Sequence, residues 1–170
     1  DLGEIFDCLE QKDFVCTRKT SRIQHRIPNN FIASRPGGRL ITMFANHMRT
    51  ELANRTSFEW GETGAQPLTP LVNANREHVC EIPEDRVHPI INNEQEFFAD
   101  RELSLEEALP QNSLICMLFH GVFDKNHPKY KGVLADYGVK DLYYADNLLG
   151  KIFRSVLDEQ TFLEDMHELL

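Results

Sequence analysis

Gly61 and Gly64 stand three residues apart and bracket a carboxylate, Glu62, and a hydroxyl, Thr63. They follow directly on Trp60, the sole tryptophan. Paired glycines let a backbone turn tightly and come close to a ligand. A strand-to-helix turn of this kind often lines a pocket. Leu68, Leu71 and Val72 follow at helical spacing, so the turn opens a helix with Gln66 in its first turn. The competing reading is an ordinary turn, with Glu62 favoured by the helix dipole and Trp60 as a core anchor. His120-Gly121 is a second candidate, at the end of the most apolar run of the chain, with Lys125 and Lys129 just beyond. A strand-end histidine bonded to backbone is its competing reading.

Cys8, Cys16, Cys80 and Cys116 include no Cys-x-x-Cys pair, which argues against a zinc knuckle. Their strand-like neighbours predict buried, inert thiols and a reducing compartment, with two disulfides left open. A hydrolase pairing Cys116 with a histidine is a weak reading, because an apolar strand raises the thiol pKa. Asn54-Arg55-Thr56 is a glycosylation sequon that matters only in a secreted chain.

The elements that must position these residues can be read in order. Leu2, Ile5, Phe6 and Leu9 predict an amphipathic first helix, and 13–16 a short strand. Residues 17–28 are basic (Arg18, Lys19, Arg22, Arg26, with His25) and read as a loop. A buried strand at 31–33 leads through Pro36-Gly37-Gly38 into a helix with Leu40, Ile41, Phe44, Met48 and Leu52 on its apolar stripe. The helix after Trp60 runs to about Asn75. Residues 79–83 read as a strand ended by proline, and 87–91 as a short extended piece. A short helix is expected at 105–109, and the strongest, doubly buried strand at 113–119. From Asp141 to Leu170 the pattern predicts one or two helices burying Leu148, Leu149, Ile152, Phe153, Val156 and Leu157. Short strands alternating with helices indicate an α/β domain.

The order of these motifs resembles the C-terminal part of the catalytic domain of DXD-type sugar transferases. That group includes capsular polysaccharide synthesis, α-1,4-galactosyltransferase-like and initiating-mannosyltransferase-like enzymes. The resemblance lies in the helix and strand of residues 1–15, in Asn29-Asn30-Phe31-Ile32-Ala33-Ser34-Arg35-Pro36-Gly37-Gly38, in Trp60-Gly61-Glu62-Thr63-Gly64 with Leu68-Thr69, in Val87-His88-Pro89-Ile90, and in Leu118-Phe119-His120. It implies a GT-A-like nucleotide-sugar-binding fold over 1–125, a mixed, mostly parallel sheet flanked by helices. Residues 126–170 add a loop and a helical tail on the same domain. It implies transfer of a hexose from a nucleotide diphosphate sugar to a saccharide acceptor, with retention of configuration. A divalent cation, Mn or Mg, would be the cofactor. Glu62 and Gln66 would serve catalysis, and His120 would ligate the metal. Asn29, Asn30, Trp60, Thr63, Gly64, Gly121 and Lys125 would bind substrate.

Two departures stand against this. No Asp-x-Asp occurs in the chain, and Ala65 replaces the usual proline after Thr63-Gly64. A non-catalytic glycan-binding or interaction module on the same fold is therefore the alternative.

The whole chain sets outer bounds. Its 170 residues suffice for a real core, and 41% hydrophobic residues suit a globular protein. A net charge of −9 argues against a general nucleic-acid binder. No apolar run approaches a membrane span, so membrane association is expected only through segments beyond this chain. The start, Asp1-Leu2-Gly3-Glu4, carries no secretory signal and no Met, as expected of a processed piece of something longer. A cytoplasmic location is expected, with the Golgi lumen or secretory pathway as the alternative.

Overall fold

A computed structural model describes residues 2–20, 25–59, 61–90, 95–118 and 139–168. The chain forms two compact units, Asp1–Val87 and His88–Leu170. The boundary expected near 125 lies outside the described residues.

The first unit is built on a three-stranded sheet in the order β2-β1-β3, with β1 at Phe14–Thr17, β2 at Ile32–Ser34 and β3 at Val79–Ile82. β1 pairs antiparallel with β2 and parallel with β3, so the sheet is mixed. All four β1 residues are buried, as a central strand covered on both faces requires. Phe14 and Cys16 enter a cluster with Ile27, Leu40, Leu68, Val72 and Val79. Val15 and Thr17 alternate to the opposite face.

Three helices surround the sheet. α1 (Gly3–Gln11) packs beside β1, and a Cys8–Cys80 disulfide ties it to β3 with the Cα atoms 6.0 Å apart. Arg35 Nε donates to the Leu9 carbonyl near the end of that helix. α2 (Arg39–Asn54) and α3 (Ala65–Ala74) supply Leu40, Leu68 and Val72 to the cluster. The Asp13 carboxylate accepts from the Arg39 N–H at 2.8 Å, a favourable place for negative charge at a helix N-terminus. The predicted α1, β1, β2, α2, α3 and β3 are all present, within a residue or two of their expected ends.

The second unit holds α5 (Leu105–Ala108), α6 (Val139–Tyr144), α7 (Leu148–Val156) and α8 (Glu159–Glu168). A reciprocal Ser104–Glu107 box caps α5. The Asn147 side chain caps α7, accepting from Gly150 N at 3.0 Å. Asp158 accepts from Thr161 N at 3.0 Å in the first turn of α8. Ile90, Phe98, Leu148 and Leu149 form the core here, with Cys116, Ile152 and Phe153 packed against it. The Tyr143 ring stacks on Phe162 at 4.2 Å between centroids.

Several expectations are corrected. Residues 113–118 form no strand; they are half-buried, with Leu118 39% exposed. A short apolar run does not itself distinguish a strand from irregular core-packed chain, and no described segment pairs with this one. Val87 closes a helical turn, α4 (Glu84–Val87), rather than opening an extended piece. The tail forms three helices, because Asn147 and Asp158 start new ones. Val156 is 77% exposed, and on α1 Phe6 is 64% exposed while Ile5 is buried. Among the described residues, no helix is long and apolar enough to cross a membrane.

Candidate functional site

The turn at 61–64 is held from within. Gly64 N and Gln66 N both donate to the Gly61 carbonyl, at 3.1 and 3.0 Å. Gly61 sits at φ 90°, a left-handed conformation that only glycine adopts without strain. α3 then starts at Ala65, with Pro67 in its first turn, where a missing N–H costs little. Thr69 locks the helix to the preceding chain: its hydroxyl donates to the Ala65 carbonyl at 2.6 Å and accepts from Ile27 N at 3.0 Å.

That lock brings 27–30 against the turn. A Cβ placed on Gly64 would meet the Asn29 amide carbon at 2.6 Å and its oxygen at 2.7 Å. Gly64 is therefore a glycine because Asn29 lies on it. The Gln66 side chain lies against Gly61 of the same turn, where a Cβ would stand 3.6 Å from its amide nitrogen. Asn29 and Gly64, proposed from separate motifs, thus meet, and Gln66 of the second motif lies against the same turn at Gly61. Asn30 and Thr63 are exposed beside them.

Glu62 is tied to the chain before it. Its Oε2 accepts from the Glu59 N–H at 2.7 Å and from Arg55 at 2.7 Å. The Glu59 N–H and then the Arg55 guanidinium hold its pKa below the usual carboxylate range. Glu62 is thus an ionised, accepting group at neutral pH, unsuited to donating a proton. Arg55 lies 3.4 Å from Glu51 and 4.7 Å above the Phe58 ring, and its pKa is raised chiefly by the bond to Glu62. Sequence reasoning missed Arg55 and Thr69 as organisers of this turn. Thr69 reaches Ile27 only through the fold, and Arg55 reaches Glu62 across the break that follows α2, where no helical or strand repeat pairs them.

A second polar group stands at the carboxyl ends of β1 and β3, where parallel strands commonly present ligands. Arg18 donates to both Glu81 oxygens, at 2.8 and 2.6 Å. Thr20 donates through N and Oγ1 to Glu84, at 2.6 and 3.1 Å. The basic loop thus commits Arg18 to an ion pair rather than presenting it to an anion.

No family model, curated protein or solved structure matches the chain. The residues themselves must carry the functional reading.

Trp60, His120, Gly121 and Lys125 lie outside the described residues. Among the described residues no group of three or more His, Cys, Asp and Glu is placed to hold a metal ion. The described residues therefore do not by themselves hold the expected cation. The free cysteines offer no nucleophile either. Burial pushes the Cys16 thiol up to about 12 and the Cys116 thiol up to about 11.

Proposed function

We propose that the chain is a GT-A-like glycosyltransferase domain that transfers a hexose from a nucleotide sugar to a saccharide acceptor. The observation that carries this reading is the seating of Asn29 on Gly64 beside Gln66, which joins two of the motifs behind the sugar-transferase resemblance. Amide side chains are suited to sugar hydroxyls, since each both donates and accepts. The Glu62 carboxylate, kept ionised by Glu59 N–H and Arg55, supplies negative charge near the anomeric carbon as its bond to the diphosphate breaks. The diphosphate leaves with the electron pair. The acceptor oxygen bonds to the anomeric carbon and passes its proton to the departing diphosphate.

The alternative, a glycan-binding module without transfer, draws on the same geometry. Glu62 is already paired, and a paired carboxylate with two nearby amides can hold sugar hydroxyls without chemistry. As to place, the Cys8–Cys80 disulfide favours the secretory pathway or Golgi lumen over the cytoplasm.

Calorimetric titration with uridine and guanosine diphosphates, with and without manganese, separates the two. Metal-dependent binding of either supports transfer. Binding of free saccharide alone supports the module. For the site itself, Glu62→Ala is expected to lower transfer at least tenfold with unchanged circular dichroism. Wild-type transfer by Glu62→Ala and by Asn29→Ala would remove this turn from the active site.

A further inference from the structure

The Asn54-Arg55-Thr56 triplet occupies the end of α2, and we propose that Asn54 is an acceptor site for an N-linked glycan. It is the one Asn-x-Ser/Thr triplet in the chain, and its middle residue is not proline. Asn54 is the last residue of α2, and Arg55 leaves the helix in an extended conformation (φ −133°, ψ 142°). Residues 52–57 are all exposed, so a bulky saccharide on Asn54 meets solvent rather than packed chain. The Asn54 amide donates to the Thr50 carbonyl at 2.9 Å, an exposed bond at a helix end that water can replace. The Cys8–Cys80 disulfide independently points to an oxidising compartment, where such glycans are added.

The reaction is a group transfer. The Asn54 Nδ2 forms a C–N bond to the anomeric carbon of an oligosaccharide carried on a lipid diphosphate. The C–O bond to the diphosphate breaks, the lipid diphosphate leaves with the electron pair, and the proton lost by the amide nitrogen passes to that departing diphosphate. The Thr56 hydroxyl, two residues on, completes the acceptor signal. None of this rests on the transferase reading, and it holds equally for a binding module.

The test sends the full chain, behind a cleavable leader, into the secretory pathway of a eukaryotic cell. The mass of all translocated chain is measured before and after a peptide N-glycosidase. The wild type is expected to lose the mass of one glycan. Asn54→Gln and Thr56→Ala are expected to carry none, and Thr56→Ser to keep it. Wild-type chain at the mass of the bare polypeptide would overturn the proposal, as would a glycan that survives Asn54→Gln.

Discussion

At the scale of single residues, the contact between Asn29 and Gly64 is the most informative in the first unit. The two come from different motifs and are far apart in sequence. Gly64→Ala would drive a methyl into the Asn29 amide and is expected to cost about 1–2 kcal/mol. In an Asn29→Ala background the same change should cost much less, because the obstruction is gone. A double-mutant cycle by urea denaturation reads this directly. Equal costs in both backgrounds would mean that the two residues do not meet. The sequence marked Gly64 as special but could not say what lay on it, since Asn29 reaches it only through the fold. Glu62 was no clearer, because its partner Arg55 lies past the end of α2 and only the folded path between them brings the two together.

At the scale of elements, the strand ends are joined by charge. Arg18 and Glu81 pair in two-point fashion with side chains 16% and 34% exposed. The Arg18 hydrogen bonds hold Glu81 below its ordinary pKa of 4.5, even though partial burial opposes them. A depressed carboxylate stabilises the folded chain above its unfolded pKa, and that contribution fades as pH falls through the folded value. Glu81→Gln is therefore expected to lower Tm by a few degrees at pH 7, corresponding to about 1 kcal/mol. The gap to wild type should close below about pH 4.5. A gap that stayed constant down to pH 3 would assign the effect to packing. Elements with a clear periodicity were legible in the sequence: α2 from Leu40, Ile41 and Phe44, and β3 from its apolar start and closing Pro83. The run at 113–118 was not. Its apolar side chains announce burial, but strand formation needs a partner edge, which the run cannot specify.

At the scale of the molecule, the disulfide was equally illegible. Four cysteines allow three full pairings, and spacing does not choose among them or say how many form. The fold chooses Cys8 with Cys80, leaving Cys16 buried and Cys116 half-buried. Cross-linking residues 72 apart removes much freedom from the unfolded chain. Replacing both cysteines with serine is expected to cost about 2–5 kcal/mol of the stability of the first unit. Urea denaturation of the double-serine chain beside the oxidised wild type measures it. A change under about 0.5 kcal/mol would mean that α1 is held in place without the bond, by Ile5 and the Glu4–Arg86 ion pair.

The same bond has a consequence for fragmentation. Everything from Cys8 to Cys80, including the basic loop, the turn at 61–64 and the exposed end of α2, lies inside one covalent ring. A protease that cuts once within that ring opens the backbone without parting the pieces. Under non-reducing conditions the nicked chain stays one molecule, heavier only by the water of hydrolysis, and only a reductant releases two fragments. A cleaved first unit can thus retain its sheet, and the Asn29–Gly64 contact can persist in a protein that no longer has a continuous backbone.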